Sequence, residues 1–280
     1  MDAAIARKTW RTLEPYHGLV YFAPEPVAAY AGIGIEGRAG YFASRAAPMG
    51  AVSTEVVQAT FFNFEPSLVA RAMEGAWQIA PPERVLAARL EGADAALRAA
   101  LGDDVVTSAE VAEAAGLART AASACTVDGR PLYAGHASLD WPEAPHLALW
   151  HAISLLREFR GDGHIACLLL EGLDGCEALV VHGATGEVAP SVLQTSRAWS
   201  DEAWASAAER LRTKGWLDTA GALTALGSES RQRIEDRTDA RALPPWEALG
   251  EDGCARLRSL VRPFSKAIVA GGAFGFTPES

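Results

Sequence analysis

REFRGDGHIA, residues 157–166, is the stretch on which the fold turns. Upstream of it, PEAPHLALWHAISLLREFR (142–160) carries apolar residues at helical spacing. Downstream, Ile165–Leu170 is an apolar run. Two glycines in three residues punctuate the pattern, so Gly161 is read as a helix stop and Asp162 as the N-cap of a second helix starting near Gly163. A helix start with bare backbone N–H groups attracts anions. Arg157 and Arg160 flank it and can hold a carboxylate or phosphate in bidentate fashion. His164 is then a base or ligand contact, with Asp162 or Glu158 orienting it. The plainer alternative is structural: Asp162 caps, the arginines pair with Glu158 and other acids, and His164 packs in the core.

The chain has 280 residues, of which 49 % are hydrophobic, enough to bury a sizeable core. Its formal net charge of −10 is a poor footprint for a nucleic-acid binder, which presents a basic face to phosphates. Four cysteines, Cys125, Cys167, Cys176 and Cys254, form no CxxC pair, and Cys167 reads as a small core residue. MDAAIARKTW has no apolar signal region and no run of eighteen apolar residues occurs, so a cytoplasmic protein with reduced thiols is expected.

Outward from residues 157–166 the signals stay helical. Helices are expected over 53–64, 66–77, 81–102, 108–124, 200–215, 225–243 and 252–270, with a short hairpin at WLDTAGALT (216–224) and a loose tail, GGAFGFTPES. Residues 37–69 and 160–193 align at an offset of 123–125: Gly40-Tyr41 falls on Gly163-His164, and Pro66-Ser67 on Pro190-Ser191. This suggests two copies of one helical unit, residues 1–140 and 141–280, related by a pseudo-twofold axis.

AERLRTKGWLD (208–218) and GALTALGSESRQRIEDRTD (221–239) carry a resemblance. Leu211, Gly215, Trp216, Leu223, Thr224 and Gly227 resemble the helix–wing–helix pattern of MarR-type winged-helix regulators. The chain as a whole is similar to a poorly characterised actinobacterial helix-turn-helix family in which LRE-x-RGDGH and EAL recur, here at 156–164 and 177–179. The resemblance implies a mostly α fold of two tandem MarR-like winged-helix units with small β-wings. It also implies a ligand pocket between units and either a monomer or a homodimer. The chain departs from that pattern where DNA would be read. The helix in the recognition position begins Ser200-Asp201-Glu202 and presents Trp199 and Trp204. Its bases, Arg210, Arg212 and Lys214, sit at the far end, and WLDTAG has no basic tip.

In the first copy, Arg38, Tyr41 and Arg45 fall opposite the 157–166 stretch and would form the facing wall of such a pocket. The expectation is therefore a small-molecule-binding protein, or an acid–base enzyme, holding an anionic or polar-aromatic ligand on a repurposed winged-helix scaffold. The alternative is a ligand-responsive DNA-binding regulator. His146 and His151, five apart on one helix, point about 140° from each other and form no metal pair by themselves. Haem or a metal is left open only through a spatial meeting of His146, His151, His164 or His182. His136 is read as a loop residue, and His17 gives no readable role. No Walker A loop, Rossmann fingerprint or GxSxG elbow occurs.

Overall fold

Proline and short polar caps set where the helices of this protein begin. The computed structural model describes residues 1–272. In chain order the helices are α1 (Ala3–Gly18), α2 (Pro24–Gly32), α3 (Arg38–Ala46), α4 (Thr54–Thr60), α5 (Pro66–Met73), α6 (Ala76–Ile79), α7 (Pro82–Leu101) and α8 (Asp103–Val106). There follow α9 (Ala109–Ala122), α10 (Pro131–Ala137), α11 (Pro145–Leu170), α12 (Gly175–Gly183), α13 (Pro190–Arg197), α14 (Asp201–Thr213), α15 (Ala225–Ala242) and α16 (Pro244–Ala270), the last broken at Gly250 (φ 76°). Proline opens α2, α5, α7, α10, α11, α13 and α16, where its missing N–H costs nothing. Ser108 and Ser200 cap α9 and α14 through their hydroxyls, and Asp174 with Glu177 forms a capping box on α12. Among the described residues no strand forms. The expected β-wing is a single antiparallel bridge between Leu217 and Leu223. The tail assigned as loose lies, apart from Gly271 and Gly272, outside the described residues.

The decisive stretch behaves differently from its reading. α11 runs without interruption through Gly161, Asp162 and Gly163. Two interior glycines cost about 2 kcal/mol of helix propensity in total. Each buried large apolar side chain returns roughly 1.5–3 kcal/mol, and Ile153, Leu156 and Phe159 before the glycines and Leu168 after them are all buried. Burial outweighs the local stop signal. The expected helix start near Gly163, and the anion site built on its bare N–H groups, are therefore withdrawn. Asp162 does not cap a helix of its own. Its Oδ2 accepts the backbone N–H of Tyr133 at 2.9 Å, in the first turn of α10.

The chain divides into two compact units that are interleaved in sequence, whereas the sequence reading places one boundary near residue 140. The first comprises residues 1–52, 75–162 and the chain from Asp239 onward; the second comprises 53–74 and 163–238. The boundaries fall inside α11 and inside α15. In the first unit α16 packs on α1 and on α9, and α2 packs on α7. Its core includes Leu13, Tyr16, Leu149, Ile153 and Leu257, and the alanine face of α9 (Ala114, Ala118, Ala121) is fully buried. In the second unit α12 packs on α13 and α14 around Cys167, Val181, Leu211, Trp216 and Ile234. α13 ends at Ala198, held at φ 63°, and α14 begins three residues later. Trp199 Nε1 donates to the Asn63 carbonyl at 2.9 Å, tying this turn to the segment between α4 and α5. In the stretch FFNF (61–64), Phe61 and Phe64 are buried.

Candidate functional site

The first unit keeps an unusual number of polar and charged side chains away from water. One face of α11 carries Trp150, Ser154 and Glu158 at a repeat of four, all buried, with Arg157 beside them. The last turn of α1 brings His17 against that face. Its imidazole stacks on the Trp150 indole, with ring centroids 5.6 Å apart and planes within 7°. From α7, the Arg89 guanidinium lies over the same indole at 4.4 Å. α10 adds His136, the 3-10 turn after α1 adds Tyr21, and α3 adds Tyr41 and Arg45.

Charges within the cluster are partly matched. Arg157 donates through Nε to Glu14 Oε1 and through Nη1 to Glu158 Oε1, both at 2.9 Å. Arg45 Nη2 lies 3.5 Å from Glu158 Oε2, and its Nη1 donates to the Tyr41 hydroxyl at 2.7 Å. Burial opposes the Glu158 charge, but Arg157 and then Arg45 overcome it and bring its pKa down to about 2. Burial, aided by neighbouring arginines, holds His17 and His136 well below the ordinary imidazole range, so both are neutral near pH 7.

Several of these buried atoms have no hydrogen-bond partner among the described residues. They are both ring nitrogens of His17, Nδ1 of His136, Nε and Nη2 of Arg89, and the Tyr21 hydroxyl. Buried polar atoms are almost always paired, and His17 is 0 % exposed. A cavity of about 80 Å³ abuts the cluster, walled by Tyr21, Tyr30, Tyr41 and Ser44 among others. That is room for a few waters or a small molecule.

Of the residues expected at a site, Glu158, Arg157, Arg45 and Tyr41 meet in this cluster. Arg160 turns elsewhere in the same unit: Nη2 reaches Asp239 Oδ1 at 3.1 Å and the guanidinium covers Trp10 at 4.5 Å. Asp162 serves Tyr133, and burial pushes its carboxyl up to about 6. Arg38 is exposed at the start of α3. His164 belongs to the second unit, where Nδ1 sits 2.9 Å from Thr238 Oγ1. His146 Nε2 lies 2.5 Å from Asp94 Oδ1, and His151 meets the edge of Trp141 at 4.8 Å, with burial lowering its pKa to about 4. Half-buried His182 lies on α12 of the second unit. No group of three or more histidines, cysteines or carboxylates that could hold a metal occurs among the described residues.

The cluster also contains residues the sequence reading passed over. His136, expected in a loop, lies on α10 and is 1 % exposed, because Pro131 opens a helix there. His17 follows Leu13 and Tyr16 on the buried face of α1, and Arg89 interrupts the buried stripe Val85–Ala88–Gly92–Ala93–Ala96 of α7. A charge or imidazole on an otherwise apolar helical stripe was the available signal.

A family model described as a helix-turn-helix family matches residues 6–275. No curated protein and no solved structure matches the chain. No helix among the described residues is long and apolar enough to cross a membrane.

Proposed function

The chain belongs to this helix-turn-helix family, and on that scaffold we propose that the buried polar cluster of the first unit binds a small polar or anionic molecule. The observation that carries the reading is His17: a neutral imidazole sealed from water, with neither ring nitrogen hydrogen-bonded among the described residues. A neutral imidazole always presents one donor and one acceptor. Leaving both buried and unmatched costs about 1–3 kcal/mol for each group, a cost that a ligand's complementary groups remove. Arg45 and Arg157 supply positive field, Glu158 anchors both, and Tyr41 walls the adjoining cavity. His17 and His136, held neutral by burial and the neighbouring arginines, each offer a lone pair to a donor of the bound molecule. In this reading Asp162 and His164 are structural.

The test is His17→Phe, which keeps the ring stack on Trp150 and removes both nitrogens. Native mass spectrometry of freshly purified wild type, with a thermal-shift screen of small metabolites, is expected to find a bound mass or a stabilising compound. His17→Phe is expected to lose it while melting no lower than wild type. The reading fails if no compound binds wild type, or if His17→Phe holds the same one equally well.

A second reading, DNA binding through α13 and α14, is favoured by the family description. The bases of α14 are engaged, however. Arg210 reaches Asp174 at 2.5 Å and Glu177 at 3.1 Å, Lys214 reaches Glu177 at 3.2 Å, and Arg212 reaches Glu209 at 3.1 Å. Phosphates must compete with these carboxylates and with a net charge of −10. Fluorescence anisotropy with a random-sequence duplex at about 50 mM salt is expected to give Kd weaker than roughly 10⁻⁴ M. Micromolar binding there would establish this reading instead.

A further inference from the structure

Resting on the ligand reading above and narrowing it, we propose that the bound molecule is a short monocarboxylate and that Arg89 selects it. The argument starts from how arginine is used elsewhere in this chain. Arg256 clamps Glu113 side-on, Nε to Oε1 at 2.7 Å and Nη2 to Oε2 at 2.6 Å. Arg233 takes Glu171 through the same edge, with both bonds at 3.1 Å. This is the planar two-point fit of a guanidinium to a carboxylate. In Arg89 the same two atoms, Nε and Nη2, are the ones without a hydrogen-bond partner among the described residues. The setting differs in one respect. Arg256 and Arg233 have side chains 54 % and 42 % exposed, where water can take over a donor, whereas Arg89 is 3 % exposed. A sealed guanidinium with no carboxylate bonded to it is costly for a fold to keep.

Charge balance sets the valence of the ligand. Around the cluster stand three arginines, Arg45, Arg89 and Arg157, against two glutamates, Glu14 and Glu158. Arg45 and Arg157 reach Glu158, and Arg157 also reaches Glu14, so of the three Arg89 is the one that enters no ion pair among the described residues, and the two histidines are neutral. One carboxylate balances Arg89; a phosphate dianion or a dicarboxylate overshoots. Trp150 serves as a common platform, since Arg89 covers it and His17 stacks on it. A molecule whose carboxylate meets Arg89 is thereby short if a hydroxyl or carbonyl of it meets His17. The adjoining cavity, walled by Tyr21, Tyr30 and Tyr41 and not by Arg89 or His17 themselves, has about 80 Å³, room for a molecule of a few heavy atoms. Arg89 also acts electrically on its wall: burial raises the Tyr30 hydroxyl pKa, and Arg89 is the largest influence opposing that rise.

The experiment is calorimetric titration of the full chain at matched ionic strength. The probes are acetate, propionate, lactate and pyruvate, set against acetamide, lactamide and inorganic phosphate. The proteins are wild type, Arg89→Lys and Arg89→Met, each checked for fold by circular dichroism. Wild type is expected to bind at least one monocarboxylate and to bind its amide at least tenfold more weakly. Arg89→Lys keeps the charge but loses the two-point edge, and is expected to weaken binding by about tenfold or more. Arg89→Met is expected to fold, to melt no lower than wild type, and to show no binding. Equal affinity for acid and amide, binding of phosphate in place of the acids, absence of binding by every acid, or an Arg89→Met protein that binds like wild type would each overturn the assignment. These outcomes are separable from failure of the broader reading. That reading stands while any ligand is lost on His17→Phe, and falls if His17→Phe makes no difference.

Discussion

Glu158→Ala is expected to destabilise the first unit by about 3–5 kcal/mol, read as the shift in urea midpoint at pH 7. Glu158 is 3 % exposed and answers two guanidiniums at once, Arg157 at 2.9 Å and Arg45 at 3.5 Å. Deleting it removes the carboxylate that Arg45 and Arg157 share and leaves two buried guanidiniums side by side. Glu158→Gln keeps the shape and removes the charge, so it is expected to retain most of the loss. The pH dependence has a definite sign. The folded pKa, about 2, lies below the ordinary value of 4.5. The stabilisation by this carboxylate is therefore fully present above about pH 4.5 and is lost as pH falls through 2. The gap between wild type and Glu158→Gln should close over that window. Asp162 works in the opposite direction, because burial raises its carboxyl to about 6 from 3.8. It favours the folded state at low pH, and that favour fades as pH rises from about 4 through 6. Equal urea midpoints for wild type and Glu158→Ala at pH 7 would show that the pairing carries no net weight.

The second large effect is expected in the second unit, from Gly227→Ala. Gly227 is the third residue of α15, where alanine would ordinarily be favoured over glycine by about 1 kcal/mol. Here a Cβ would run into the Trp216 carbonyl oxygen, an atom of the backbone that cannot rotate aside. The same oxygen accepts the Thr224 N–H at 3.0 Å, so the turn between bridge and helix is fixed on both sides. Relieving the clash means moving α15 away from the Leu217–Leu223 bridge and opening the core around Leu211, Trp216 and Ile234. A loss of about 3 kcal/mol is expected, at the upper end of what overpacking costs. Gly116→Ala on α9 is the control. Its Cβ meets nothing within 4 Å, so it is expected to be neutral or stabilising by up to about 1 kcal/mol. A Gly227→Ala protein as stable as Gly116→Ala would show that the backbone contact is not obligatory.

Legibility in the sequence followed the range of the forces involved. Helix starts are local chemistry, and Pro66, Ser108 and Ser200 announced theirs, as did Pro81 to within one residue, whereas Pro131 and Pro190 open helices that the sequence reading left out. The helical class and the capped limits of α14 followed from such marks. Gly161 and Gly163 are equally local marks and misled, because burial of Phe159 and Leu168 on either side is decided by distant partners. Arg157, Glu158, Tyr41 and Arg45 were nominated for chemical type and do meet, although the helix start invoked to join them does not exist. His17, Arg89 and His136 were missed because each matters only for what it lacks: a partner, once sealed from water. The apolar stripes of α1 and α7 mark His17 and Arg89 as buried, but spacing does not report whether a buried group finds a partner.

The interleaving of the two units bears on how the protein is made. α1 leaves the ribosome well before α16, the helix it packs against. The apolar face of α1, with Leu13 and Tyr16, must therefore wait through synthesis of more than two hundred residues before it is covered. The segment 53–74 likewise waits for 163–238. Pairings so distant along the chain are slow to form and leave sticky intermediates exposed. Production of this protein in a foreign host is accordingly expected to depend on holding chaperones and slow translation, whereas the folded protein, once α16 has docked on α1, no longer needs them.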